Sequence, residues 1–448
     1  MKIGLLPLAR PTFDVAYANE KLEGMLAVLD RTQHEIIGSR DLLMEADKPA
    51  LDAIADADLI LVLQVTFTDA AFVVEAAGLG KPLAIWAVPE PRTGDRLRLN
   101  AFCGLNLASH ALGRNHTAFN WMYADPQDAD IVSLLDKSKQ VTRIDGITPD
   151  VEPLDIPIEG LKIARIGAHP VGFDTCAYDK NELKALTGAQ VDELELEELF
   201  DLARNLDDTE VVPYRQRAEA LGDIDLLDRN EIDRSLRLAG ALEKLRATNA
   251  YDAFALRCWP ETFTEYGGAI CGPASMMGEN RVPCACEADV YGSVTQSILQ
   301  NFANQPVFLA DIVDISENDN TGVVWHCGQA PASMAQGAIR ATVHTNRKQA
   351  LLYEFALRPG RVTLFRLSQA YGEPKIILAG GHMLERDMAF TGTSGVVRFD
   401  HHAGLVLRDM MNSGLEHHMA IAYGDYSDQL RGMAAGMGLK VIELGAME

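Results

Sequence analysis

The chain has 448 residues, 48% of them hydrophobic and 23% charged, an ordinary globular composition with room for about three domains. Its 64 acidic and 40 basic residues give a formal net charge of −24. Such an excess of negative charge disfavours nucleic acid and anionic lipid surfaces as main partners, although a local arginine or lysine pocket could still hold an anionic small molecule.

The cysteines and the N-terminal residues predict a protein of the reducing cytoplasm. The apolar stretch Ile3–Ala9 ends at Arg10, so no hydrophobic core of a secretion signal develops. No run approaches the roughly 18 apolar residues of a membrane helix. The seven cysteines are scattered, odd in number and without a C-x-x-C pair, which is typical of free thiols.

Residues 1–155 alternate apolar runs with helical patterns. The apolar runs predict strands at Lys2–Leu8, His34–Gly38, Leu59–Val65 and Pro82–Val88, and the helical spacing predicts helices at Val15–Leu29 and Ala70–Ala77. Continuous apolar strands separated by helices are typical of a parallel sheet covered on both faces. We therefore expect an N-terminal doubly wound α/β domain that ends in the polar stretch Lys137–Pro153.

Residues 156–330 repeat this alternation and predict a second doubly wound parallel α/β domain. A long charged helical region covers roughly Asp192 to Thr248, and a further helix is predicted at Val290–Phe302. The strand-like runs of this part are Leu161–Ile166, Ala253–Cys258, Pro283–Cys286, Val307–Ala310 and Val323–Trp325.

Residues 331–448 differ, because their predicted strands are short and are separated by turn residues such as Pro359-Gly360. That spacing favours antiparallel strands in a barrel or sandwich. The predicted fold class is therefore α/β, with two doubly wound parallel domains followed by a β-rich, barrel-like C-terminal domain.

Acids and histidines follow or precede several of these strands. Glu287, Asp311 and His326 each follow an apolar run, and His417-His418 precede another. Ligands usually bind at strand ends in α/β sheets. A set of carboxylates and imidazoles without a thiolate suits Mn²⁺, Mg²⁺ or Co²⁺.

The residues alone leave a structural interpretation open. An acid at a strand end is commonly a helix cap or a solvated loop residue. His326 can be a hydrogen-bonded structural histidine, and His401-His402 is a competing histidine pair. Cys284 and Cys286 would share one face of a strand, which favours packing over metal binding.

Several segments resemble the L-fucose isomerase-like family, within the L-fucose/L-arabinose isomerase superfamily. Cys286-Glu287-Ala288-Asp289-Val290-Tyr291-Gly292 is similar to the segment that supplies the family's first metal-binding glutamate, and Pro306–Asp311 to its metal-binding aspartate segment. Gly414–Asp425 resembles the C-terminal histidine segment, in which His418 rather than His417 matches the ligand. Residues 10–14 are similar to the family's N-terminal segment. This chain is shorter than standard L-fucose isomerases and nearer to compact relatives.

The resemblance implies a metal-dependent aldose–ketose isomerase that works through a metal-bound cis-enediol. It implies that Glu287, Asp311 and His418 bind Mn²⁺, or another divalent cation such as Mg²⁺ or Co²⁺, and that the two carboxylates also move protons. His326 lies where L-arabinose isomerases place a further histidine ligand. We expect it, with Arg10, Gln64 and Trp86, to contact the sugar.

The resemblance also implies a homo-oligomer, a trimer or hexamer, with active sites shared between subunits. Arg10 and Trp86 would then serve a neighbour's site, although a core position for Trp86 fits equally well.

Other functions remain open. A metal-dependent epimerase or lyase would use the same enediolate chemistry, and two α/β domains also build non-catalytic sugar-binding proteins. The sequence does not select between a pentose, a 6-deoxyhexose and a 6-sulfo-hexose as the ligand.

Overall fold

The computed structural model describes residues 1–44 and 48–447. These residues form three sheets surrounded by helices, and one cluster of buried apolar side chains draws on all three sheets. Within the described ranges, none of the helices is long and apolar enough to cross a bilayer.

The N-terminal sheet is fully parallel, with strand order β2-β1-β3-β4-β5. Its strands β1 to β5 are Lys2–Leu8, Glu35–Gly38, Leu59–Gln64, Leu83–Ala87 and Phe119–Tyr123. The helices α1 to α5 are Val15–Leu29, Lys48–Asp52, Ala71–Ala77, Ala101–Arg114 and Ile131–Leu134. β3 and β4 are buried along their whole length, as their continuous apolar sequence predicts.

The second sheet is also parallel, with order β7-β6-β8-β9. Strands β6 to β9 are Lys162–Ile166, Gln190–Leu194, Ala253–Leu256 and Cys284–Ala285. Helices α6 to α11 are Lys180–Thr187, Leu196–Arg204, Asp208–Leu221, Arg229–Asn249, Cys271–Glu279 and Val290–Ala303. The long charged region is thus one strand and three helices, because capping boxes start α7 and α8 and the Asp228 side chain caps α9.

The remaining strands build a closed barrel. Strands β10 to β18 are Phe308–Ser316, Thr321–His326, Arg340–Val343, Ala350–Ala356, Gly360–Ser368, Lys375–Met383, Thr393–Phe399, His418–Tyr423 and Lys440–Glu443, and helices α12 and α13 are Ala403–Ser413 and Ser427–Met437. Six of these strands follow the order β16-β11-β10-β17-β14-β15, and β15 pairs again with β16, so the ring closes. All six neighbouring pairs are antiparallel. Closure leaves no free edge among the six strands.

Three strands extend this barrel. β13 pairs parallel with β16 and carries β12, and β18 pairs parallel with β15. The barrel begins at β10, upstream of residue 330, while the domain limits themselves stay a prediction.

The arrangement directs the carboxyl ends of both parallel sheets toward one face of the barrel. Arg10 and Phe67 follow β1 and β3, and Trp259 and Glu287 follow β8 and β9. All four line a pocket whose opposite wall includes Asp311 of β10.

Candidate active site

One pocket collects the predicted chemical groups where the three sheets meet. Its empty volume is about 770 Å³ including the mouth. The lining residues used below are Arg10, Trp259, Glu287, Asp311, His326 and Arg347.

Glu287 lies in the short turn Cys286–Ala288 between β9 and α11. Its φ of 57° is in the left-handed region that side-chain-bearing residues rarely adopt, so the contacts around it hold it there. Oε1 accepts a hydrogen bond from Trp259 Nε1 at 3.0 Å, and Oε2 lies 2.8 Å from His417 Nε2. Burial alone would raise the pKa of Glu287, but the hydrogen bond and charge of His417, with smaller effects of His418 and Trp259, lower it to about 2.

Asp311 lies within β10 rather than at its end. The sequence predicted that the strand stops before this residue, but Ile312–Ile315 are buried and carry β10 on through the barrel wall to Ser316. Asp311 stands directly opposite His418 in the β10–β17 pair, where facing side chains share one side of the sheet. Burial, with a contribution from the Glu287 charge, raises the pKa of Asp311 despite the two nearby histidines.

His418 is held by Asp289, a residue that the sequence analysis did not assign to the site. His418 Nδ1 donates to Asp289 Oδ2 at 3.0 Å, and both side chains are about 1% exposed. Asp289 also pairs with buried Arg366, whose Nη1 lies 2.6 Å from Oδ2. With its proton on Nδ1, His418 presents the lone pair of Nε2 to the pocket.

Three potential ligand atoms converge beneath the pocket. His418 Nε2 lies 3.5 Å from Asp311 Oδ1 and 3.8 Å from Glu287 Oε2. In the described part of the chain, neither Asp311 Oδ1 nor His418 Nε2 has a hydrogen-bond partner, although both atoms are buried. Two facing lone pairs without a hydrogen between them call for a cation, and two carboxylates with one imidazole suit a hard or borderline divalent ion. The residues therefore fit the metal that the sequence predicts.

His326, at the end of β11, lies beside this set, with its ring centroid 5.6 Å from that of His418. Its Nδ1 accepts the backbone N–H of Cys327 at 2.9 Å, so the neutral ring carries its proton on Nε2. In this tautomer Nε2 donates a hydrogen bond, which suits a sugar oxygen. His326 also offers a ligand atom within 4.8 Å of ligand atoms of Asp311 and His418, so the same side chain fits a metal-binding group.

Gln64 and Trp86 correct the sequence analysis, because the structure brings neither to the pocket. Both are fully buried in the N-terminal sheet. Gln64 donates to Thr66 O at 2.7 Å and packs against Gly104, and Trp86 Nε1 donates to Ala124 O at 2.9 Å. Their strands are covered on both faces, so side chains near the strand ends serve the core instead of a ligand.

Arg10 lines the pocket of its own chain. Its Nη2 lies 2.7 Å from Asp69 Oδ2, and nearby Asp14 caps α1 and accepts from Arg98 Nε at 2.9 Å. The family resemblance implies that Arg10 serves a neighbouring subunit's site. Within one chain, Arg10 already pairs with Asp69 and Asp14 with Arg98. A site shared between subunits stays a prediction.

Sequence reasoning missed several other residues of the pocket. Trp259 orients Glu287, and Arg347 adds a cation from the loop between β12 and β13. Glu90 shapes the segment that brings Asn100 to the pocket, because its carboxylate accepts the backbone N–H groups of residues 98, 99 and 100 at 2.6–2.9 Å. Because these residues stand singly in separate loops, no spacing between them in the sequence indicates that they share a pocket. Asp289, by contrast, lies in the segment Cys286–Gly292, which already resembles the family.

Two segments of the chain match models of known protein families. Residues 4–144 match the N-terminal domain of fucose/sulfoquinovose isomerases, and residues 325–445 match the C-terminal domain of L-fucose isomerase. The chain therefore belongs to the L-fucose isomerase-like family, and it is an enzyme, a sugar isomerase that interconverts an aldose and a ketose.

Individual relatives cover nearly the whole chain. It is 31% identical to the sulfoquinovose isomerases of Priestia aryabhattai and Priestia megaterium, over 99% of this chain and 96% of each relative. It is 30% identical to the sulfoquinovose isomerase of Alkalicoccus urumqiensis, over 98% of this chain and 99% of the relative.

Proposed function

We propose that this enzyme is a metal-dependent isomerase that converts sulfoquinovose, a hexose with a sulfonate on C6, into the corresponding ketose through a cis-enediol. The convergence of Glu287 Oε2, Asp311 Oδ1 and His418 Nε2 carries the proposal for the chemistry. The substrate rests on the similarity to proteins named sulfoquinovose isomerases over almost their full length.

Glu287, Asp311 and His418 would hold the cation, for which Mn²⁺ is the first candidate and Mg²⁺ or Co²⁺ the alternatives. A divalent cation supplies positive charge that stabilises the negative charge developing on the sugar oxygens during isomerisation. Two carboxylates and a neutral imidazole leave ligand positions free for substrate oxygens.

The protein side chains divide the remaining work. Glu287 is ionised at neutral pH and faces the pocket, so it can take a proton from the carbon next to the carbonyl. Asp311, the second carboxylate of the pocket, can return a proton to the neighbouring carbon. Trp259 fixes the Glu287 carboxylate, and the Nε2 proton of His326 can be donated to a sugar oxygen.

The experiment that tests this function is incubation of Mn²⁺-loaded protein with a sugar panel in D₂O. The panel contains sulfoquinovose, 6-deoxyglucose, L-fucose and a pentose. We expect a ketose from sulfoquinovose, with deuterium incorporated at C1 or C2. A C2 epimer or a cleaved product would instead indicate an epimerase or a lyase. Binding without label or product would indicate a non-catalytic sugar-binding protein.

Assembly and location complete the proposal. We expect a cytoplasmic homo-oligomer, a trimer or hexamer, with a small-molecule sugar and neither nucleic acid nor membrane as its partner. The acidic charge and the seven free cysteines support the partner and the location. Light scattering at micromolar and nanomolar concentration tests the assembly, and a fully active monomer at both concentrations would contradict shared sites.

A further inference from the structure

The pocket carries a guanidinium whose charge is not compensated. Arg347 is about half-buried at the pocket wall, and no carboxylate lies within ion-pair distance of it in the described ranges 1–44 and 48–447. Its ionisable neighbours include the thiols of Cys258 and Cys327 and the guanidinium of Arg10. Burial raises the pKa of Cys258, and its contact with Cys271 together with burial raises the pKa of Cys327 to about 11, so both thiols are neutral at pH 7.

Arg10, the other pocket arginine, differs in this respect. Its Nη2 lies 2.7 Å from Asp69 Oδ2, so a carboxylate of the same chain already compensates its charge. Arg347 has no such partner among the residues that the structure describes, and it is therefore the pocket arginine that is available to an anionic ligand.

Trp259 contacts Glu287 and lies close to both arginines. Its Nε1 donates to Glu287 Oε1 at 3.0 Å, and the Cζ atoms of Arg10 and Arg347 each lie 5.6 Å from its ring centroid. A sugar whose C1 and C2 lie at Glu287 and Asp311 can thus extend along the indole toward Arg347. A cation against an aromatic ring is held in place with little loss of its hydrogen-bonding capacity.

The loop that carries Arg347 is organised before a ligand binds. His344 Nδ1 accepts the backbone N–H groups of Asn346 and Arg347, both at 3.2 Å, and His344 O accepts that of Lys348 at 2.8 Å. Asn346 lines the pocket as well, and its amide can donate to an anionic oxygen. A held cation costs less ordering on binding than a mobile one.

We infer that Arg347 forms the subsite for the anionic group on C6 of the substrate, an inference that rests on the proposed function. A guanidinium donates two parallel hydrogen bonds to tetrahedral oxyanions. One uncompensated positive charge matches a sulfonate, which carries a single negative charge, better than a doubly charged phosphate ester. In a chain of net charge −24, such a local cation also offsets the repulsion that an anionic sugar meets elsewhere.

The test compares Arg347→Met and Arg347→Lys with wild type in the Mn²⁺-loaded full chain. For each protein, kcat and KM are measured for sulfoquinovose, glucose 6-phosphate and 6-deoxyglucose. Dissociation constants are measured by calorimetry for two alditols that cannot react, 6-deoxy-6-sulfoglucitol and 6-deoxyglucitol. The matched control is Lys348→Met, which removes the same charge from the exposed neighbouring residue.

Arg347→Met should lower kcat/KM for sulfoquinovose by roughly 10- to 100-fold, mainly through KM, the scale expected for a hydrogen bond to a charged group. Its values for the neutral 6-deoxy sugars should stay within a factor of about 3, since none of their groups carries a charge for the guanidinium to bind. Arg347→Lys should keep part of the preference for the sulfonated alditol. Lys348→Met should match wild type throughout.

Failure of the subsite and failure of the proposed substrate give different results. If wild type isomerises sulfoquinovose and Arg347→Met keeps the full preference for the sulfonated alditol, the subsite is wrong and the function stands. If Arg347→Met weakens charged and neutral ligands equally, Arg347 has a structural role and the inference is overturned. If wild type prefers glucose 6-phosphate or a neutral sugar, the proposed substrate fails and the sulfonate assignment fails with it.

Discussion

Glu287 is positioned so that its two oxygens have different neighbours. One oxygen is fixed by the Trp259 indole, while the other lies 2.8 Å from His417 Nε2 and 3.8 Å from His418 Nε2. The left-handed backbone of residue 287 aims the side chain into the pocket at a cost of about 1–3 kcal/mol, which the surrounding contacts offset. A carboxylate held in this way can contact a cation and still move a proton without rearranging.

Glu287→Gln separates ligation from proton transfer. The amide keeps the shape and one carbonyl oxygen, but it is not a base at neutral pH. We expect turnover to fall by roughly 10²- to 10⁴-fold, the usual scale for a general base. Metal content measured with excess Mn²⁺ should fall much less. The matched control is Glu265→Gln, at an exposed position outside the pocket, which should keep wild-type turnover. A Glu287→Gln enzyme with more than about a tenth of wild-type activity would move the proton transfer to another group.

The same residues show what the sequence could predict. Glu287, Asp311 and His418 stand in segments that resemble a known family, and the structure brings them together. Trp86 and Gln64 were predicted from their nearness to strand ends, but burial of both sheet faces decides their side-chain environment. Arg347 lies in a loop between two short strands, and only the folding of distant segments around it makes it a pocket residue.

Asp289 joins three elements at the base of the site. It caps α11 by accepting from Gly292 N at 2.8 Å, pairs with Arg366 of β14 and accepts from His418 of β17. Its position three residues before Gly292 is a typical helix cap, which by itself predicts only local stabilisation. The barrel adds the other two contacts, so one carboxylate caps a helix, balances the buried Arg366 charge and sets the tautomer of His418, the proposed metal ligand.

Asp289→Asn should therefore affect both stability and metal binding. Removal of its charge leaves buried Arg366 with only the longer 3.9 Å pair to Glu416, and breaking a buried ion pair costs up to about 3–5 kcal/mol of unfolding free energy. The loss of the carboxylate behind His418 should weaken Mn²⁺ binding by about 10- to 100-fold. Urea unfolding and metal titration measure the two effects.

Asp179→Asn is the control for this change. Asp179 caps α6 at an exposed position, and asparagine caps nearly as well as aspartate. Its stability and metal affinity should stay close to wild type. Equal losses in the two variants would show that Asp289 acts only as a helix cap.

The pKa of Asp289 also predicts how stability depends on pH. Burial alone would raise this pKa, but the charge of Arg366 and the hydrogen bond from His418 hold it well below its ordinary value. A carboxyl whose pKa is depressed in the folded state contributes stability above its unfolded pKa of about 3.9 and loses it as the pH falls toward the folded value.

Wild type should therefore lose stability steeply below about pH 4, where the unfolded chain takes up the Asp289 proton first. The difference in unfolding free energy between wild type and Asp289→Asn should be constant from pH 5 to 7 and shrink below pH 4. Urea titrations of both proteins across this range measure it. A difference that stays unchanged down to pH 2 would contradict the depressed pKa.

On the scale of the whole chain, local patterns predicted the sheets better than their connections. Strands such as Lys2–Leu8 and Leu59–Gln64 start where their apolar runs predict, and the alternation of strands with helices predicted both parallel sheets. Closure of the barrel depends on the pairing of β15 with β16 and on β10 meeting β17, which lies about a hundred residues later in the chain. Contacts between residues so far apart leave no periodic signal in the sequence, because each strand shows only its own buried faces.

The cation would add a further link between parts of the chain that the Glu287–His417 hydrogen bond and the Asp289–Arg366 ion pair already join. Glu287 follows the last strand of the second parallel sheet, whereas Asp311 and His418 belong to two neighbouring strands of the barrel. A ligand that binds only the folded state stabilises it by about 2.7 kcal/mol when present at a hundred times its dissociation constant. Mn²⁺ should thus raise the melting temperature of protein stripped with EDTA, and activity should return together with stability.

His418→Ala tests whether the stabilising Mn²⁺ binds at the proposed site. The variant loses the imidazole lone pair but keeps both carboxylates, so its melting temperature should respond little to Mn²⁺ at concentrations that saturate wild type. His402→Ala provides the comparison, because His402 lies at the start of α12 and outside the pocket, and it should keep the wild-type response. Calorimetric melting of the three proteins with EDTA and with Mn²⁺ measures this. Stabilisation of His418→Ala equal to that of wild type would place the bound ion elsewhere on the molecule, and the acceptors Asp311 Oδ1 and His418 Nε2 would then need another partner.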